Sequence, residues 1–252
     1  MNHKTPKPRR AVVVGATGLV GRYLVLQLLD DPAYDEVVVL ARRAFPHRHP
    51  KLRVEILELE TLPDRATLID GDDLFCCLGT TRRRAGGREA FEHVDLELVQ
   101  IVTGVAERRR VNQLLLVSAL GANPRSPFFY QRIKGRVEDI VGNMHFRAVH
   151  IFRPSLLLGP RSEPRRAEEL AGRVLKALHW TLWGRLKRLR AVNAGALAER
   201  MIEIAKLGLD GLHVHSPHDP LPEVPEPEEA GEHEKTIRLA KFKPASIPPP
   251  TH

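Results

Sequence analysis

The chain lacks the features of a membrane protein or a disulfide-bonded one. Its only two cysteines are the adjacent pair Cys76 and Cys77, which lie in an apolar run, so we expect reduced thiols in a buried strand. No segment approaches the roughly 18 consecutive apolar residues of a membrane span. The first ten residues, MNHKTPKPRR, lead into a strand-like run without an apolar leader. These absences predict a cytoplasmic protein without stable membrane insertion.

Aromatic residues are also scarce, at 5% of the chain, and they do not alternate with basic stretches. The net charge is +8, but the arginines occur in every segment, so we expect no nucleic-acid partner. The positive field instead favours an anionic cofactor or small-molecule substrate. We expect no metal site, because neither His47 and His49 nor His213, His215 and His218 have the cysteine or acidic framework of one. His213 and His215 should share one face of a short strand.

The pattern of apolar segments predicts an α/β protein with a doubly wound, mostly parallel Rossmann sheet and helices on both faces. A chain of 252 residues has room for one large domain, which we place at 10–216 with a small substrate-side segment at 155–195. Residues 1–9 are predicted to be a flexible N-terminus, and 217–252 a Pro/Glu-rich tail that does not pack. The predicted strands are 10–16, 36–41, 52–59, one within 68–79, one within 112–122, 146–154 and 211–216. The predicted helices are 18–30, 88–110, about 128–142, 164–190 and one within 191–208.

Three glycines with the spacing G-x-x-G-x-x-G follow the first predicted strand. Gly15 permits a sharp turn, Gly18 allows close approach of a pyrophosphate, and Gly21 lets the helix pack on the sheet. The helix N-terminus then presents free N–H groups and a partial positive charge to phosphates. This turn predicts a dinucleotide site.

The end of the second predicted strand indicates which dinucleotide is bound. An NAD site usually has an acidic residue there, whereas this strand ends in Arg42 and Arg43. A guanidinium attracts a 2′-phosphate, so the sequence favours NADP.

A tyrosine and a lysine four residues apart are the candidate catalytic pair. Tyr130 and Lys134 lie on a predicted helix, which places both side chains on one face. A nearby cation stabilises a phenolate, so Lys134 would tune Tyr130 for proton transfer. Ser118 ends the fifth predicted strand, where its hydroxyl would bind a substrate carbonyl.

Together these residues resemble the atypical short-chain dehydrogenase/reductases, most closely the branch of Tat-interacting oxidoreductase-like proteins. The resemblance covers about 10–215 and is strongest in FCCLGTTRRRAG, LLLVSALGA, YQRIKGRVE and FRPSLLLGPR. It implies NADP binding through the glycine turn, the arginines after strand two, the loop after strand four, the adenine side and the catalytic helix. The implied cofactor residues are Gly15, Thr17, Gly18, Leu19, Val20, Gly21, Arg42, Arg43, Glu58, Leu59, Leu78, Gly79, Thr80 and Lys134, and Arg153 with Pro154 would begin the substrate side.

Two positions depart from the family pattern. Ser118 is followed by Ala119 where relatives often have a second serine, and Asp95 stands near the place of the asparagine of many reductases. A separate segment, 179–190, combines Trp180 and Trp183 with basic residues. It fits a lid helix with pocket-lining tryptophans, or a surface for a membrane or partner.

The leading hypothesis is an NADPH-dependent oxidoreductase that reduces a small carbonyl compound, with Tyr130 as general acid. The alternatives are a non-catalytic NADPH-sensing protein that signals to a partner, and a sugar-nucleotide epimerase, a group with a larger C-terminal substrate domain. A homodimer is also compatible with the sequence.

Overall fold

A seven-stranded parallel sheet forms the centre of the protein. The computed structural model describes residues 8–80, 85–159, 191–216 and 219–222, and all of these belong to one unit that ends at Pro222. The strands are Arg9–Val14 (β1), Tyr34–Ala41 (β2), Leu52–Ile56 (β3), Asp73–Cys76 (β4), Gln113–Val117 (β5), Ala148–Phe152 (β6), Leu157–Leu158 (β7), Val192–Asn193 (β8) and Gly211–His215 (β9). The strand order is β3-β2-β1-β4-β5-β6-β9, and β7 pairs separately with β8.

Helices cover both faces of this sheet. They are Leu19–Asp30 (α1), Arg88–Glu92 (α2), Leu98–Arg108 (α3), Phe129–Gly142 (α4) and Ala194–Leu207 (α5), with a π-helical turn at His93–Glu97 and a 3-10 segment at Leu59–Leu68. The core residues of α1 and α5 cluster on one face, and those of the 3-10 segment, α3 and α4 on the other. Because both faces are covered, the four consecutive residues 11–14 of β1 are all buried, with Val13 toward α1 and Val14 toward the opposite layer. The predicted doubly wound fold is confirmed.

The reversal of strand order defines a crevice. From β1 the sheet extends to β2 and β3 on one side and to β4, β5, β6 and β9 on the other. At such a reversal the loops that follow two adjacent parallel strands diverge to opposite faces and leave a ligand site at the carboxyl edge. The loops after β1 and β4 therefore border this site.

Several predicted boundaries differ from the structure. Strand three was predicted at 52–59 but ends at Ile56, and the chain then forms the 3-10 segment, which was not predicted. Pro63 lies inside that segment and has no backbone N–H to donate to a sheet. The helix predicted at 88–110 is interrupted by the π-helical turn.

Both ends of the predicted domain differ from the structure. β1 begins at Arg9, whose guanidinium pairs with buried Asp73 at 2.5 Å, so residue 9 does not belong to a flexible terminus. The tail predicted from 217 onward is described only at 219–222, and this part contacts the domain, since Arg200 Nη2 donates to the carbonyl of Pro220 at 2.5 Å. The rest of the tail lies outside the described residues, as do the predicted helix at 164–190 and most of the predicted substrate-side segment.

Histidines line one face of β6 and β9, as predicted for His213 and His215. Their rings stack with centroids 6.1 Å apart, and His150 Nδ1 lies 3.1 Å from His215 Nε2. Burial, together with neighbouring histidines, lowers the pKa of His150 to about 3 and that of His215 to about 4. The folded protein therefore holds both rings neutral.

These pKa values predict a loss of stability in acid. Since an unfolded histidine has a pKa of about 6.5, the unfolded chain binds more protons below that pH, so stability is full above it and falls with pH toward the folded pKa. Each of the two buried histidines should lower the free energy of unfolding in urea by about 2 kcal/mol from pH 7 to pH 5, so we expect a drop of about 4 kcal/mol for the pair. His150→Leu should reduce this drop, whereas His145→Leu, at a side chain that is 92% exposed, should not. An equal drop in wild type and His150→Leu would contradict the prediction.

Candidate functional site

The glycine turn connects β1 to α1 at the strand-order reversal. Gly15 has a φ of +78°, and a methyl group there would lie 2.7 Å from the backbone nitrogen of Leu78 and closer still to the carbonyl oxygen of Cys77. A methyl group on Gly21 would overlap the carbonyl oxygen of Gly15. The turn therefore lies directly against the loop after β4, and only glycine fits at these two positions.

The start of α1 is open for an anion. The first-turn N–H groups of an α-helix have no intrahelical acceptors, and no described side chain caps this end at Gly18. Thr17 and Gly18 are exposed, whereas the Val20 side chain is buried in the core. The groups that this turn exposes to an anion are therefore backbone N–H groups and the Thr17 side chain.

Leu19 lies where the turn meets the substrate side. A methyl group on Gly159 would come within 2.9 Å of Leu19 Cδ1, so the stretch just after β7 passes over the start of α1. Leu157 in β7 pairs with Val192 in β8, which brings this stretch beside the beginning of α5. Leu19 therefore lies between the glycine turn and the stretch after β7.

Tyr130 and Lys134 lie on α4, as predicted from their spacing. The Tyr130 ring packs against Phe91 of α2 with centroids 5.7 Å apart, and the residue is 44% exposed. Desolvation raises the pKa of Tyr130 above its ordinary value, Lys134 opposes this and Asp95 adds to it. The phenol is consequently protonated at neutral pH.

A buried ion pair holds Lys134. Its ammonium nitrogen lies 2.7 Å from Asp95 Oδ1, and the other carboxylate oxygen accepts a hydrogen bond of 2.8 Å from the backbone N–H of Thr80. Gly79 passes over the pair, since a methyl group there would lie 3.6 Å from Lys134 Nζ. The predicted cofactor loop 78–80 and the predicted catalytic lysine are therefore brought together through Asp95.

The depth of α4 is set by close packing at Gly135. A methyl group there would overlap the backbone of Asn123 and Pro124, in the loop that follows β5. The same loop bonds to the first turn of α4, where Ser126 Oγ donates to Gln131 Oε1 at 2.9 Å. This packing fixes the height of Tyr130 and Lys134 above the strand ends.

Ser118 is engaged in a different network from the one predicted. It is buried at the end of β5, and its hydroxyl donates to Glu138. Glu138 also receives two donors of Arg153, with Nη2 at 2.5 Å from Oε2. Ser118 and Arg153 therefore both donate to the carboxylate of Glu138, which lies one helical turn beyond Lys134. The Ser118 hydroxyl proton is engaged in this hydrogen bond. Pro154 is buried, and its carbonyl accepts a hydrogen bond from Leu120 N–H.

The segments after β2 and β3 carry the residues predicted to lie near the adenosine of a cofactor. Arg42 and Arg43 are exposed directly after β2, and Glu58 is exposed before the 3-10 segment. Leu59 differs, because its side chain is buried in the core, which leaves its backbone for a cofactor contact. Nearby, His93 bridges Glu60 and Glu97 at 2.8 and 2.7 Å.

A comparison with protein families bears on this crevice. A family described as NAD(P)H-binding matches residues 15–157, which is more than half of the chain. The chain belongs to this NAD(P)H-binding family. The match begins at Gly15 and ends at Leu157, so every predicted site residue lies within the family region.

Relatives of known name agree with this assignment. The chain is 33% identical to Protein HTATIP2 of Rattus norvegicus over 170 residues, which is 66% of this chain and 70% of the relative. It is 31% identical to Protein FMP52, mitochondrial, of Candida albicans over 211 residues, which is 79% of this chain and 89% of the relative. The resemblance inferred from the sequence is confirmed. The cytoplasmic location stays a prediction, since the word mitochondrial in the fungal name applies to that protein.

A solved structure confirms the fold. UDP-N-acetylglucosamine 4-epimerase from Methanobrevibacter ruminantium M1, in complex with UDP-N-acetylmuramic acid, superposes with a TM-score of 0.62 at 15% identity, covering 83% of this chain and 77% of that one. At this identity the likeness concerns the fold alone. None of the helices in the described ranges is long and apolar enough to cross a membrane.

The geometry of this NAD(P)H-binding protein fits a dinucleotide. The α1 N-terminus is open, the turn at Gly15 leaves no space for a side chain, and Lys134 lies beneath the loop that flanks the crevice. The sequence predicts no role for Glu138. For Asp95 it shows only a departure from the family pattern. The sequence does contain one indication that Asp95 is buried. It occupies the same helical face as the apolar residues Phe91, Leu98 and Val102, all of which are buried.

Proposed function

We propose that the protein binds NADP(H) in preference to NAD(H) and reduces a small carbonyl compound, with Tyr130 as the proton donor. The observation that carries the proposal is the placement of a protonated Tyr130 one helical turn from Lys134, which itself lies under the cofactor loop. Such a pair is where a ketone or aldehyde oxygen would receive its proton. Bound NADPH would supply the hydride.

Each part of the site has a distinct role in this proposal. The N–H groups at the start of α1 bind the pyrophosphate, and Arg42 binds the 2′-phosphate. Lys134 donates to the nicotinamide ribose and keeps a positive charge near Tyr130. Arg153 borders the substrate side with its charge paired to Glu138. The net charge of +8 favours an anionic carbonyl compound.

Turnover tests the catalytic half of the proposal. Purified protein should oxidise NADPH when supplied with one or more members of a panel of aldehydes, ketones and keto acids. Failure on the whole panel, with NADPH binding intact, would count against reduction and favour the second candidate below.

Cofactor preference is tested at Arg42. Loss of a charge-assisted phosphate contact costs about 1.5–3 kcal/mol, so Arg42→Ala should weaken NADPH binding about 10- to 100-fold and leave NADH binding nearly unchanged. Titration of reduced-nicotinamide fluorescence measures both affinities. Arg48→Ala is the matched control, because Arg48 is exposed in the same connection between β2 and β3. Equal losses for NADPH and NADH would contradict the assignment of Arg42.

A second candidate is a non-catalytic NADPH sensor. It is favoured by the hydrogen bond from Ser118 to Glu138, because the hydroxyl proton that would assist a carbonyl is already donated. This candidate predicts tight NADPH binding without turnover, and a protein partner whose affinity depends on bound NADPH. An epimerase remains third, since the likeness to that solved structure concerns the fold.

A further inference from the structure

We propose that Asp95 is a positioning residue of this site: its carboxylate fixes the Lys134 ammonium beneath the cofactor loop and offsets that positive charge beside Tyr130, so that the site favours proton donation. The inference rests on the proposed function, and it deepens it by assigning the form in which Tyr130 acts, the neutral phenol that donates a proton to a carbonyl oxygen. The spacing of Tyr130 and Lys134 alone does not set that protonation state.

The placement of Asp95 supports this role. Phe91 and Asp95 are four residues apart on the α2 and π-helical segment, and Tyr130 and Lys134 are four residues apart on α4. Phe91 contacts the Tyr130 ring and Asp95 contacts the Lys134 ammonium, so the two pairs face each other. π-helical turns occur frequently at functional sites. Here the turn carries the carboxylate that holds the lysine.

Burial strengthens the electrostatic interaction between Asp95 and Lys134. Asp95 is fully buried and Lys134 is 5% exposed, so the interaction is weakly screened by water. Oδ1 of Asp95 forms the ion pair with Lys134, and Oδ2 accepts a hydrogen bond from Thr80 N–H. A buried ion pair contributes little net stability, because desolvation offsets much of the attraction. Its effect on the protonation of neighbouring groups is therefore the larger consequence.

The charges around Tyr130 come from three elements. Lys134 on α4 favours the phenolate, Asp95 on the π-helical turn opposes it, and Cys76 on β4 faces Lys134. Burial raises the pKa of the Cys76 thiol to about 11, so it adds no charge at neutral pH. Although burial disfavours the ammonium, Asp95 and Tyr130 hold the pKa of Lys134 above its ordinary value. The ammonium is thus retained with its field on Tyr130 reduced, and the phenol remains a donor.

Asp95→Asn tests the inference directly. The amide keeps an oxygen for Thr80 N–H and removes the negative charge, so the full-length variant should ionise Tyr130 at a pH about one unit lower. Ultraviolet difference titration reads the phenolate, and subtraction of the same variant carrying Tyr130→Phe isolates Tyr130 from Tyr23 and Tyr34. The basic limb of the reduction rate should move in the same direction. An unchanged Tyr130 titration in folded protein would overturn the inference.

Controls separate this effect from helix packing and from misfolding. Glu92→Gln removes another ion pair between the same two helices, Glu92 with Arg136, and should leave the Tyr130 titration unchanged. If Asp95→Asn does not fold, the double variant Asp95→Asn/Lys134→Met leaves no buried charge unpaired. Its Tyr130 should titrate within about half a unit of wild type, since offsetting charges are removed together. A larger displacement would show that the two charges do not offset.

The titration also separates this inference from the proposed function. It requires neither cofactor nor substrate, so a protein that binds no NADPH or reduces no carbonyl refutes the proposed function without moving the titration. Conversely, normal turnover with an unmoved titration in Asp95→Asn refutes only the role of Asp95.

Discussion

Tyr130→Phe is expected to lower NADPH-dependent carbonyl reduction about 10²- to 10⁴-fold, the usual contribution of a positioned general acid. The phenylalanine ring keeps the contact with Phe91 and removes only the hydroxyl, so folding and NADPH affinity should change little. The measurement is kcat on whichever carbonyl compound the wild-type protein reduces, together with the dissociation constant for NADPH.

Tyr23→Phe is the matched control for this experiment. Tyr23 lies on α1, with its ring against Gly195 at the start of α5, and loss of its hydroxyl should leave turnover unchanged. Wild-type turnover in Tyr130→Phe would show that another group donates the proton. The Tyr130–Lys134 pair would then have no catalytic role.

Gly15→Ala should have the largest effect on cofactor binding and stability together. The left-handed backbone at Gly15 costs a non-glycine residue about 1–3 kcal/mol, and a methyl group would also collide with the backbone of Cys77 and Leu78. We expect a loss of about 3 kcal/mol or more in the free energy of unfolding. NADPH binding should fall sharply, since the turn must move away from β4.

Gly208→Ala separates these two causes. Gly208 has a φ of +68° after α5, and no described atom lies within 4 Å of a methyl group built there. It therefore carries the backbone strain without the collision, and should cost about 1 kcal/mol. Urea unfolding of both variants gives the comparison. Equal costs would mean that the contact between the turn and the loop after β4 contributes nothing.

The fold could be predicted from short-range patterns. The apolar runs of β1 and β2 indicate burial on both faces, which requires helices above and below a parallel sheet. The glycine spacing identifies the turn between β1 and α1, because the close backbone contacts of such a turn leave little space for side chains. The 3-10 segment at Leu59–Leu68 and the π-helical turn at His93–Glu97 were not predicted, since a continuous apolar pattern does not reveal a change of helical period.

In the candidate site too, relations between residues close in sequence could be predicted, and contacts between distant residues could not. Tyr130 and Lys134 share a face because a helix places residues four apart together, and no other element is needed for that inference. Ser118 illustrates the opposite case. Its position at a strand end was correctly predicted, yet its hydrogen-bond partner, Glu138, lies on a helix 20 residues further along the chain.

The sequence by itself determined the doubly wound fold class and the position of the glycine turn. It also determined the arginines after β2 and the Tyr130–Lys134 pair. Only the tertiary structure decided that Asp95 pairs with Lys134 and that Glu138 joins Ser118 to Arg153. The physical reason is distance along the chain. Helical and strand geometry relates residues within a few positions of each other, whereas the charge that a buried group meets depends on how separate helices pack on the sheet.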